Sequence, residues 1–237
     1  MATPGLRCVI LQPSYVPWRG YFHQIQKADV FVCYDDVQYD KRGWRNRNRI
    51  KTAAGPRWLT IPVHSHGTQL EHTPIFDIRI AWSQPWSRDH WRSLQSAYRK
   101  APYFERYAGL LEAFYQRHDE RLADFVIDLT IALAAELGLG ATRFLRASSL
   151  AARGVKTDRL LDILTRLGAT HYISGPAAQA YIETEKFQEA GINLEYMVYD
   201  YGEYPQLYPP FDSQVSILDL LFMTGPHAPE YIHGASQ

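Results

Sequence analysis

Two short apolar runs near the start of the chain constrain its fold more than any other feature. Arg7 to Gln12 (RCVILQ) and Asp29 to Tyr34 (DVFVCY) are nearly continuous in apolarity, as strands buried on both faces are. Between them, Tyr21, Phe22, Ile25 and Ala28 recur at helical spacing within Trp18 to Ala28. Strand, helix, strand in that order is a βαβ unit, so the two strands should run parallel through a right-handed crossover.

The same alternation returns late in the chain. Thr142 to Ala147, Thr170 to Ser174 and Asn193 to Tyr199 read as strands, with helices expected at Thr157 to Leu167 and Pro176 to Ala190 and a short closing helix at Ser213 to Met223. Two segments interrupt the pattern. Trp44 to Lys51 has period two; it is followed by a turn at Ala53, Ala54, Gly55 and Pro56 and a returning strand at Arg57 to Val63, which predicts a hairpin. Pro85 to Lys100, Pro102 to His118 and Asp119 to Leu137 predict three helices, the last with an apolar stripe of Leu122, Phe125, Val126, Leu129, Leu133 and Leu137. The expectation is one α/β domain over residues 1–237. It is a doubly wound, mostly parallel sheet of Rossmann-like or nucleotidyltransferase-like type, with a basic hairpin inserted at 41–64 and a helical insertion at 85–138.

Bulk properties narrow the function classes. The 237 residues carry 25 Lys plus Arg against 25 Asp plus Glu, a formal net charge of zero, which argues against a dedicated nucleic-acid binder. Cys8 and Cys33 fall inside the first two strands and should be buried thiols. No signal peptide is visible and no apolar run approaches the ~18 residues of a membrane span, so the expected location is the cytoplasm.

Ligands of doubly wound folds bind beyond the carboxyl ends of the strands, and those ends are polar here. Gln12 and Tyr15 follow the first strand; Asp35, Asp36, Gln38 and Tyr39 follow the second. One of the two aspartates would hold Mg²⁺, a substrate amine or a hydroxyl proton, or else cap a helix or pair with the basic run. Lys156 and Thr157 open a helix after the third strand, and Ser174-Gly175-Pro176 opens one after the fourth; each is an anion-site candidate or an ordinary helix cap. The run Lys41 to Lys51 holds six cations in eleven residues, with Trp44 among them. Its period places Arg45, Arg47, Arg49 and Lys51 on one face and Asn46, Asn48 and Ile50 on the other, so the cations are expected to act together on one anionic ligand. A plain exposed face and nucleic-acid contact are the other readings. His64, His66 and His72 fit no zinc spacing, so no metal site is expected, and no GxSxG, Walker or GxGxxG motif is present. Asp35, Asp36 and Lys156 are the catalytic candidates.

The stretch from Gln12 to Phe22 (QPSYVPWRGYF), then Ala28-Asp29, Asp35 to Tyr39 (DDVQY) and Trp44 to Lys51 (WRNRNRIK), resembles the signature of the WbqC-like protein family. So do Tyr172 to Pro176 (YISGP), Tyr181, Phe187 and Ser216 to Phe222 (SILDLLF). The resemblance implies a place in bacterial surface-polysaccharide (O-antigen) or related biosynthesis. The implied reaction joins an amino acid, glycine among them, or an acyl group to a small acceptor such as a sugar. A second resemblance is architectural. The strand, Pro/Gly turn, helix and Ala-Asp-led strand look like the opening of the nucleotidyltransferase and pantothenate-synthetase group, whose HxGH is replaced here by Trp18-Arg19-Gly20-Tyr21, with His23 two residues on. These resemblances add Gly20 and His23 to the ligand-binding candidates. They leave the cofactor open, with ATP or another phosphate-bearing donor plus Mg²⁺ as the candidate. The alternative is a non-catalytic binding protein for a nucleotide sugar or nucleic acid. Aminoacyl-tRNA is the less favoured partner.

Overall fold

The computed structural model describes residues 5–68 and 70–232. The chain opens with β1 (Arg7–Leu11), α1 (Arg19–Lys27) and β2 (Val30–Cys33), and β1 pairs with β2 in parallel. Both faces of β1 are covered, as its unbroken apolarity predicts. Cys8 and Ile10 enter one core cluster with Val30 and Val32, while Val9 enters the other with Phe31 and Cys33. Cys8 and Cys33 are buried free thiols, and burial pushes both up to about 12.

A hairpin of β3 (Arg47–Thr52) and β4 (Gly55–Thr60) follows as a separate two-stranded sheet. Its turn is tighter than the sequence suggests. Gly55 has φ +100°, which lets the returning strand begin there, and Thr52 Oγ1 donates to the Gly55 carbonyl at 2.7 Å. Pro56 is tolerated because the strand is an edge. Three helices come next: α2 (Trp86–Tyr98), α3 (Phe104–Gln116) and α4 (Leu122–Glu136). The stripe predicted on α4 is buried from Leu122 to Leu133, in the cluster that also holds Val9, Phe22 and Phe31.

The sheet resumes with β5 (Arg143–Arg146), α5 (Lys156–Leu167), β6 (His171–Ser174), α6 (Thr184–Glu189) and β7 (Asn193–Tyr196), and α7 (Ile217–Thr224) follows. The predicted helix from Pro176 to Ala190 is broken into a 3₁₀ turn at Pro176–Ala180 and the short α6. At the break the Glu183 amide donates to Thr157 Oγ1 at 3.1 Å instead of continuing a helix. β7 ends at Tyr196 rather than Tyr199 because its neighbour β6 ends at Ser174, whose carbonyl takes the Met197 amide at 2.8 Å. α7 starts at Ile217, since the preceding Ser216 amide is held by the Arg49 carbonyl at 2.9 Å.

The five strands lie in the order β5-β2-β1-β6-β7, all parallel. The fold is α/β. From β1 the chain builds outward through β2 to β5, then crosses back to lay β6 and β7 on the other side of β1. Order therefore reverses between β1 and β6, and the crevice beyond their carboxyl ends is the switch point where doubly wound folds hold ligands.

Candidate functional site

A cavity of about 740 Å³ opens at that switch point, floored by Leu11 at the end of β1, Gln12 just after it and Gly175 just after β6. A volume of this size suits a small ligand or cofactor.

The loop from Gln12 to Trp18 forms one edge and is fastened from two sides. Asn48 Nδ2 donates to the Tyr15 and Val16 carbonyls at 3.1 and 2.9 Å. The Tyr15 amide donates to the Trp44 carbonyl at 3.1 Å. Val16 is held at φ +36°, a strained position for a β-branched residue. The Tyr15 side chain points away from the cavity into the helices, where its hydroxyl meets His90 Nδ1 at 2.9 Å and the Tyr115 hydroxyl at 2.5 Å. Burial keeps all three neutral: it raises both tyrosines and lowers His90 to about 4.

The cations of the basic run do not share one task. Arg45 lies before β3, not on it, and its side chain is 11% exposed. It lines the cavity and is desolvated, which lowers its pKa; Asp40 opposes that effect, with Oδ1 at 3.5 Å from Nε. Nε and Nη1 are buried without a hydrogen-bond partner. A cation so removed from water is costly unless paired; the exposed Asp40 offsets part of that cost, and an anion in the cavity would offset more. The others are engaged elsewhere. Arg47 stacks on Trp58 at 4.7 Å. Arg49 Nη2 donates to the Gln214 carbonyl and Oε1 at 3.1 and 3.0 Å, with Asp212 at 3.7 Å. Lys51 Nζ donates to the Pro210 carbonyl. The expectation that these side chains act together on one ligand is therefore corrected: Arg45 faces the cavity, while Arg49 and Lys51 tie the hairpin to the segment after β7.

The cavity walls are aromatic rings and side-chain amides. Trp18, at the start of α1, sets its ring edge-on to Tyr199 at 4.9 Å, with Tyr201 beside it at 6.1 Å. Gly20 makes room for that indole, because a Cβ there would lie 2.3 Å from Trp18 Cζ2. Gln24 Nε2 donates to the Tyr199 hydroxyl oxygen at 2.9 Å, which leaves the Tyr199 O–H free to donate. Burial raises Tyr199 to about 12 and Tyr201 further, so both keep their protons at neutral pH. Asn48, Gln214 and Trp44 complete the wall, and Asp200 is the carboxylate among the lining residues. A second, smaller cavity of about 250 Å³ adjoins the first and shares Leu11, Gln12 and Arg45 with it; Tyr34, Lys156, Tyr172 and Tyr181 line the rest.

Comparison with known proteins gives a family. The model of the WbqC-like protein family matches residues 12–231, which includes all of the larger cavity's lining except Leu11. The chain belongs to the WbqC-like protein family. It is also similar to "Uncharacterized protein Rv1507c" of Mycobacterium tuberculosis (strain ATCC 25618 / H37Rv), 39% identical over 98% of this chain and 99% of that one. No solved structure matches.

This WbqC-like chain brings together part of the residue set expected from its sequence. Gln12, Trp44, Arg45, Asn48 and Gly175 line the larger cavity, and Lys156 lines the smaller. Asp35 is fully buried and accepts two hydrogen bonds from Ser148, while Asp36 is paired with Arg159; neither lines either of these two cavities. Ser174 is buried, its hydroxyl 3.4 Å from that of Tyr172. Asn46 donates to the Ile61 carbonyl at 2.8 Å, Gln38 contacts His72 at 3.1 Å and His23 contacts Tyr201 at 2.8 Å. Tyr39 is buried and Lys41 exposed. Gln24 and Gln214 are cavity residues that sequence reasoning passes over. A glutamine on the buried face of α1 is the one signal that could have found the first. No helix among the described residues is long and apolar enough to cross a membrane.

Proposed function

We propose that this protein is a cytoplasmic transferase or ligase. It holds a phosphate-bearing donor in the larger cavity and joins an amino acid or acyl group to a small acceptor such as a sugar. The observation that carries the reading is Arg45, a desolvated guanidinium at the switch point whose Nε and Nη1 make no hydrogen bond and whose ion-pair partner is the exposed Asp40. A guanidinium fork matches phosphate geometry, and in a water-poor crevice it stabilises charge that develops during transfer. The rings of Trp18, Tyr199 and Tyr201 suit the planar or ring portion of a nucleotide or nucleotide sugar, and Asn48, Gln24 and Gln214 suit its hydroxyls. Asp200 is placed to orient or deprotonate an attacking amine or hydroxyl. The resemblance to a family of surface-polysaccharide gene clusters supports a sugar as the acceptor.

Thermal shift with ATP and with UDP-glucose, on the parent and on Arg45→Met, tests this. A ligand at a hundredfold excess over its Kd stabilises by about 2.7 kcal/mol, roughly 5–10 °C for a chain of this size. The expected result is such a shift with one of the two, absent in Arg45→Met. An equal shift in both proteins, or none in either, overturns the reading. Binding followed by no product with any amino-acid or acyl acceptor pair would leave a non-catalytic nucleotide-sugar binder instead.

A further inference from the structure

The smaller cavity has a chemistry of its own. Its volume of about 250 Å³ equals roughly eight water molecules at ~30 Å³ each, too small for a nucleotide. Two cations line it, Arg45 and Lys156, and no carboxylate does. Outside the lining, the exposed Asp40 lies 3.5 Å from Arg45 Nε and offsets part of that charge, while Asp36 is paired with Arg159. Lys156 forms no ion pair among the described residues and stands at the first turn of α5. Ile10, Leu11 and Leu160 give an apolar floor, and Tyr34, Tyr172 and Tyr181 a ring of hydroxyls. Burial raises the pKa of all three tyrosines, so they stay protonated and neutral.

We propose that this cavity is a second ligand subsite that takes a small carboxylic acid, its carboxylate between Arg45 and Lys156 and its apolar body on Ile10, Leu11 and Leu160. The charge balance selects an anion, and the apolar floor selects a carbon chain or ring over a free inorganic ion. Because Arg45 and Gln12 line both cavities, the bound acid lies beside whatever occupies the larger one, with a single guanidinium between them. This last point rests on the reading of the larger cavity as the donor site. It makes Arg45 the residue that sets two ligands side by side, the arrangement that turns a bimolecular transfer into an effectively unimolecular one.

Saturation-transfer NMR and calorimetry on the full chain test the subsite, with butyrate, benzoate and inorganic phosphate as probes and UDP-glucose as reporter of the larger cavity. Benzoate or butyrate should bind, and Lys156→Glu should weaken that binding at least tenfold while changing UDP-glucose affinity less than twofold. Arg45→Met should weaken both. Lys156 is exposed, so the variant should fold; Lys156→Gln repeats the test should it not. Failure of both acids to bind overturns the proposal, as does equal binding by the Lys156 variants. Displacement of benzoate by phosphate at lower concentration than by butyrate overturns the carboxylate class. Loss of UDP-glucose binding alone in the parent protein refutes the donor reading and leaves the acid subsite standing.

Discussion

Ser148 donates both its amide and its hydroxyl to Asp35, each at 2.9 Å, and so ties the end of β2 to the turn after β5. Asp35 is completely buried, which makes those bonds expensive to lose. Asp35→Asn should therefore cost about 1–3 kcal/mol of stability, measured by urea denaturation, while ligand affinity at the larger cavity stays within threefold. A stable Asp35→Asn protein that no longer binds or turns over ligand would return this carboxylate to the chemistry.

Asn48 acts in the same way on the cavity edge. Its Nδ2 holds two carbonyls, those of Tyr15 and of the strained Val16. Asn48→Ala leaves both without that donor and frees the loop, for an expected loss of about 2–3 kcal/mol. Because Asn48 also lines the cavity, UDP-glucose affinity should drop with stability. Amide exchange at residues 13–18 should accelerate in the variant; unchanged protection there would show that the loop is held by other means.

At Gly20 two effects oppose each other. Replacing a helical glycine by alanine gains about 1 kcal/mol from propensity. The new Cβ, however, would sit 2.3 Å from the Trp18 ring, which is packed against Tyr199. Overpacking of that kind costs about 1–3 kcal/mol, so Gly20→Ala should be neutral to destabilising by about 2 kcal/mol. Its clearer signature is displacement of Trp18: altered tryptophan fluorescence and weaker binding in the larger cavity. A variant with higher melting temperature and unchanged affinity would mean that Trp18 shifts freely.

His90 should make the protein acid-sensitive. Its pKa is held near 4 by burial, against about 6.5 in the unfolded chain. Between those values the unfolded state binds the proton and the folded state does not, so stability falls as pH is lowered from 6.5 to 4, by up to about 3 kcal/mol. Above pH 6.5 the effect vanishes. His90→Gln keeps an acceptor for the Tyr15 hydroxyl and should flatten this part of the stability profile. Parallel profiles for the two proteins would show that other groups govern the acid limb.

Much of this architecture is written locally. The apolar runs at Cys8 to Leu11 and Val30 to Cys33, the helical spacing of Tyr21, Phe22 and Ile25, and the stripe on α4 each state their element within a dozen residues, because strand and helix periods are short-range. The strand ends were legible for the same reason, and with them Gln12 and Gly175. Period two in the basic run was legible too, but the partners were not. Arg49 and Asp212 are 163 positions apart and Lys51 and Pro210 are 159 apart, and nothing in either segment announces the contact that the hairpin makes with that later stretch. Which cation is left over for a ligand depends on those distant pairings. Sequence by itself determined the strands, most of the helices, the parallel character of the sheet and the family signature. Only the tertiary structure decided that Asp35 belongs to Ser148, that Arg45 stands between two cavities, and that Gln24 and Gln214 reach the crevice, since each of these follows from long-range packing against segments that local chemistry does not specify.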